Sequence, residues 1–226
     1  MKLLRIACFV AVSIAFLRNV SGQGFVNLDF EAANLSAYGA GPAAVLATNA
    51  IPGWTAYLGG VPQTDILLNS EALADPAVSI QGTNGSFYPP MQRNYFILLQ
   101  GSFQEISPRT AAIGQTGLIP ATVQSMSFWA DTSLNGISNN LQVTFNGSTI
   151  PYSAIGAGSG YTIYGANISA FAGQTGQLLF TAGYDTYASL DNIQFSSLPI
   201  PEPSTLSLFI ICIFLLCWRK MLPNPR

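Results

Sequence analysis

Short runs of alternating apolar and polar residues, punctuated by Gly, Asn and Pro, make up most of residues 23–198. A period of two is the mark of a strand with one face buried. Residues 25–31 (FVNLDFE) alternate in this way, and residues 53–58 do so again after Pro52. Asp65–Leu68 and residues 77–81 are shorter candidates. Residues 94–100 (NYFILLQ) are almost continuously apolar, as expected of a central strand covered on both faces. Residues 122–130, with Met126, Phe128 and Trp129, form another candidate. Residues 140–145 and 149–152 flank Asn146-Gly147, a pair suited to the positive φ values of a tight hairpin turn. Residues 177–182 and 188–195 close the series. No run of useful length has a helical period, beyond a turn or two at 71–75 and 168–172. Many short strands separated by frequent turns predict an all-β chain folded as a single antiparallel β-sandwich.

The two ends follow different rules. Lys2 and Arg5 precede an apolar stretch at 6–17, and Val20-Ser21-Gly22 supplies small residues before Gln23. That order predicts a signal peptide over 1–22, recognised by the Sec machinery and signal peptidase. At the other end, Pro201-Glu202-Pro203 is followed by an uncharged apolar run, Leu206 to Trp218, and then by Arg219-Lys220. Two prolines around a glutamate make an extended hinge. The apolar run predicts a transmembrane helix over about 204–218, with Arg219 and Lys220 as a basic stop on the cytoplasmic side. At ~1.5 Å per residue the run is roughly 20 Å long, short of a ~30 Å hydrocarbon core. Snorkelling by Trp218, Arg219 and Lys220 relieves that mismatch.

The tail at 199–226 resembles the PEP-CTERM sorting signal of Gram-negative bacteria, also known as the ice-binding-protein C-terminal motif. The resemblance rests on the order of Pro201-Glu202-Pro203, apolar helix and Arg219-Lys220. It implies an exosortase-type transpeptidase as partner, cleavage near the PEP motif, and passage from the inner membrane to the cell surface or matrix. Residues 221–226 are longer and less basic than the usual end of such tails. The alternative is an ordinary anchor that is never cut.

Charge and cysteine usage narrow the cargo. All ten acids except Glu202 lie within 23–198, but only two of the eight bases do, Arg93 and Arg109, so this stretch carries a net charge of −7. A lysine-free acidic domain has little with which to neutralise phosphates, and nucleic acid is not an expected partner. Cys8 falls in the signal, and Cys212 and Cys217 fall in the apolar run, so the exported domain has no disulfide despite its compartment. The chain has no histidine, which removes Ser-His-Asp and Cys-His hydrolases and His-ligated zinc.

A second resemblance spans most of residues 24–196, to the galactose-binding-like jelly rolls of bacterial carbohydrate-binding modules. It rests on Asn27 to Glu31, Ile51-Pro52-Gly53-Trp54, residues 166–174 with 178–180, and Leu190 to Phe195. It implies a jelly-roll arrangement with first and last strands side by side. It also implies a structural calcium at the positions matching Glu31 and Asp191, although no cofactor is required. For glycan stacking the candidates are Tyr184, Asp185 and Tyr187, which are expected in an exposed loop with Tyr161 and Tyr164 in another, while Trp54 and Trp129 are expected to pack inside. Three functions follow. The first is a non-enzymatic structural or adhesive protein of exopolysaccharide or biofilm. The second is a glycan-binding module, with polysaccharide as partner. The third is a glycoside hydrolase using two carboxylates such as Glu31 and Glu105, for which the sequence holds no motif.

Overall fold

The computed structural model describes residues 24–72, 74–83, 91–104, 110–131 and 141–200. The expected signal peptide, Pro201, Glu202, Pro203, the apolar run, Arg219 and Lys220 lie outside them. Among the described residues no helix is long and apolar enough to cross a membrane.

Among the described residues there are fourteen strands: β1 (Ala43–Leu46), β2 (Thr55–Leu58), β3 (Val61–Gln63), β4 (Asp65–Leu68), β5 (Ala77–Gly82), β6 (Tyr95–Gln100) and β7 (Ala111–Leu118) come first. They are followed by β8 (Ser125–Ala130), β9 (Leu141–Phe145), β10 (Ser148–Thr149), β11 (Ser153–Gly158), β12 (Tyr161–Asn167), β13 (Thr175–Ala182) and β14 (Tyr187–Ser196). Among the described residues, helix is confined to α1 (Ala47–Ala50) and a 3-10 turn at Ser169–Phe171. The larger sheet has the order β1-β4-β5-β6-β14-β8-β12-β11, and the smaller β10-β9-β13-β7-β2-β3. The expected all-β sandwich is thus present. Its pairing departs from a purely antiparallel one, because β4 and β5 run parallel, with Leu67 opposite Ser79 and Leu68 opposite Ile80.

The core follows from the alternation. On β8, Met126, Phe128 and Ala130 are buried, while Ser127 and Trp129 between them keep some exposure. On β13, Leu178, Phe180 and Ala182 are buried in the same manner. Aromatic rings span the space between the sheets. Phe30 lies 5.7 Å from Trp54, Trp54 6.4 Å from Phe180, and Phe180 5.4 Å from Phe128. Trp54 is interior as expected, and its indole donates to the Asn27 carbonyl at 3.0 Å. Trp129 is not. It stands on the outer face of the larger sheet, stacked on Tyr161 at 4.3 Å.

Two corrections concern local structure. Residues 25–31 form no strand; Asn27 and Phe30 take positive φ values of 50° and 56°. Part of the backbone of this segment is bonded by side chains in place of a neighbouring strand. The buried Gln115 amide accepts from Val26 N at 2.6 Å and donates to Val26 O at 3.0 Å. Phe30 turns fully into the core. Tyr161 and Tyr164 lie in β12, which pairs with β8 and β11, and so they are not in a loop. The expected hairpin is present, with Asn146 at φ 49° and Gly147 at 78° between β9 and β10.

Candidate functional site

The strand β14 lies between β6 and β8 and breaks register between Asp191 and Gln194, opposite Trp129 and Ser127. Asn192, at φ 47°, makes the bulge. Such an irregularity re-aims side chains and ends regular pairing. Leu190 belongs to the core, so Asp191 points to the opposite, outer face. It is nonetheless fully buried. The segment at Met91 and Gln92 lies over this face, with Met91 Sδ 3.7 Å from the Ser189 hydroxyl.

Asp191 Oδ1 accepts from Asn192 N at 2.6 Å, whereas Oδ2 has no partner. Burial, chiefly, pushes its carboxyl up to about 8, and the charges of Glu31 and Asp29 push the same way; the amides of Asn192 and Gln92 offset part of the rise. Gln92 Oε1 is a second buried oxygen without a donor. An unsatisfied buried oxygen costs about 1–3 kcal/mol, and more for a charged group.

The residues implied for calcium, Glu31 and Asp191, are therefore brought into one electrostatic neighbourhood. The N-terminal segment runs beside β14: Ile193 N donates to Leu28 O at 2.9 Å, and Phe25 packs on Phe195 at 5.3 Å. Glu31, however, is already engaged. Its carboxylate accepts from Asn94 N at 2.8 Å, Asn94 Nδ2 at 3.0 Å and Tyr95 N at 3.0 Å. Asp29 bonds Arg93 at 3.1 Å across an exposed pair. Among the described residues no group of three or more acids stands close enough to hold a metal. Asp191 Oδ2 and Gln92 Oε1, each buried without a partner, are of the carboxylate and carboxamide type that a hard cation takes as ligands. Gln92 was not legible as a partner. A glutamine in a loop carries no sequence signal until the fold buries its carboxamide oxygen.

The expected glycan loop is only partly presented. Tyr184 is 41% exposed and Asp185, at φ 54°, is also exposed. Tyr187, by contrast, is 2% exposed and stacks on Phe103 at 6.3 Å, so it offers no free face. The loop is tied to its neighbour by Asp185 N to Ser102 O at 3.0 Å and Gly101 N to Thr186 O at 2.8 Å. Of the two acids considered for hydrolysis, Glu105 lies outside the described residues, and Glu31 braces residues 94 and 95.

Fold and site together describe a two-sheet β-sandwich with a buried acidic locus on the outer face of its larger sheet. No family model matches the chain, and no curated protein does. Among solved structures, it is similar to a carbohydrate-binding module described for specific mannan recognition, at 9% identity and a TM-score of 0.29. The match covers 50% of this chain and 75% of that one, and is too distant to bear on ligand or function.

Proposed function

We propose that the chain is an exported bacterial protein, delivered through a PEP-CTERM-like tail to the cell surface or extracellular matrix. Its role there is structural or adhesive, within exopolysaccharide. The observation carrying this reading is the order of Pro201-Glu202-Pro203, the apolar run and Arg219-Lys220, placed directly after the last strand. Its position supports accessibility to a membrane transpeptidase. β14 ends at Ser196, and Leu198 O then accepts from the Ser125 hydroxyl at 2.6 Å, so the described fold is complete a few residues before the motif.

A bound calcium would be structural in this reading. Asp191 and Gln92 would hold it, and it would supply charge compensation for a buried carboxylate on an acidic domain. Glu31 would keep the loop at 94 and 95 in place beside it.

Replacing Pro201, Glu202 and Pro203 by alanine tests the delivery. In the native host the wild-type chain is expected to lose both the signal and about the last two dozen residues, and to reach the surface. The alanine variant is expected to stay in the membrane at higher mass. If mass spectrometry finds the apolar run retained in both, the tail is an anchor only.

A further inference from the structure

We propose that the cleft at the end of the parallel β4–β5 pair binds one residue of an uncharged glycan. Two parallel strands finish on the same side, so Asn69, just past β4, and Thr83, just past β5, stand together at one rim of the larger sheet. With the loop at 33–40 and the first residue of β6 they enclose about 380 Å³. That volume lies in the range of pockets for small organic ligands.

The cleft is built rather than incidental. Asn69, 2% exposed and at φ 46°, fastens three pieces of chain. Its amide N donates to Ile80 O at 3.0 Å, its side-chain Nδ2 to Ala40 O at 2.9 Å, and its Oδ1 accepts from Gly82 N at 2.8 Å. Thr83 N donates to Asn94 O at 3.1 Å, and Asn34 N to Asn49 O at 2.8 Å. Gly82 has an ordinary φ; what it supplies is room. A Cβ there would lie 3.1 Å from the Tyr95 ring, which lines the cleft. Rigid walls of this kind spare a ligand the cost of ordering its site.

The lining sets the ligand class. The Ser36 hydroxyl donates to Asn34 Oδ1 at 3.0 Å, which turns the exposed Asn34 Nδ2 donor outward for a ligand, Thr83 adds a hydroxyl, and Tyr95 adds an aromatic side chain. Among the described residues, none of the lining side chains is charged. A phosphate or carboxylate entering the cleft would shed water with no countercharge in return. A sugar ring, with hydroxyls on its rim and C–H groups on its faces, finds amide and hydroxyl partners and an aromatic wall. The ligand class fits the proposed setting among exopolysaccharide and rests on it for its identity; the geometry does not.

Saturation-transfer NMR on the full chain, held in a detergent that contains no sugar, tests the site. The probes are the methyl glycosides of glucose, galactose and mannose, with glucuronate as the charged control. Transfer to at least one neutral glycoside and none to glucuronate is expected. Thr83→Trp, which fills the cleft, and Asn34→Ala, which removes an exposed donor, should each weaken binding about tenfold or more, while Tyr184→Ala leaves it unchanged. No transfer to any of the three, or equal transfer in Asn34→Ala and Thr83→Trp, overturns the proposal. Binding that vanishes in Tyr184→Ala also overturns it, in favour of the 184–187 loop. A chain that binds sugar but stays in the membrane leaves the cleft standing and removes only the delivery. A chain that reaches the surface without binding sugar does the reverse.

Discussion

Asp191 is a carboxyl whose protonation and folding are coupled. Its ordinary value is 3.8 and burial raises it to about 8, so between these limits the folded chain holds a proton that the unfolded chain has released. The stabilisation is full below about pH 4 and is lost as pH rises to about 8. Urea unfolding in the presence of a chelator is therefore expected to show stability falling across that window, with a slope approaching ~1.4 kcal/mol per pH unit. Asp191→Asn should flatten the profile. Calcium, which takes the place of the proton, should raise the midpoint most at the alkaline end of the window. Gln92→Leu should shrink that calcium response while leaving the chelator profile close to wild type. A midpoint insensitive to calcium at pH 8 would remove the cation from this site. The acid itself was legible as a position of interest; its isolation was not, because Oδ2 loses its partner only when Met91 and Gln92 lie across the outer face.

Elements were legible where bulky residues alternate, and illegible where pairing alone makes the strand. β8, β13 and β14 carry large apolar side chains in alternation, β6 carries them almost continuously, and each formed within a few residues of its expected bounds. β7 (AAIGQTGL) and β11 (SAIGAG) do not. β7 is extended because β13 pairs with it along its full length and β2 along half. β11 is exposed throughout and is held by β12 alone. Residues 25–31 show the converse. Their alternation is real, yet Asn27 accepts from Ala32 N at 3.0 Å and donates to Pro52 O at 3.2 Å, bending the segment away from strand geometry. Gln115 then satisfies Val26 as a neighbouring strand would. Gln115→Met keeps the volume and removes both bonds; a loss of about 1–3 kcal/mol is expected by denaturant titration, since two part-buried hydrogen bonds worth about 0.5–1.5 kcal/mol each are lost.

At the scale of the whole molecule, β14 is the last of the described strands in sequence and a middle strand in space. It joins β1-β4-β5-β6 on one side to β8-β12-β11 on the other. Chain ending before Tyr187 should therefore form no cooperative sandwich, and thermal unfolding of such a truncation by near-UV circular dichroism is expected to lack a sharp transition. A sharp transition would show that the half-sheets associate without it. This arrangement has a bearing on secretion. On the proposed route the chain crosses the membrane from its N-terminus, and its larger sheet remains two separate halves until residue 196 has emerged. The apolar run begins only ten residues later, at Leu206. On that proposed route, folding of this domain would be timed to the arrest of its own translocation: the polypeptide would stay loose enough to be threaded for almost its entire length, and close at about the moment when it is caught.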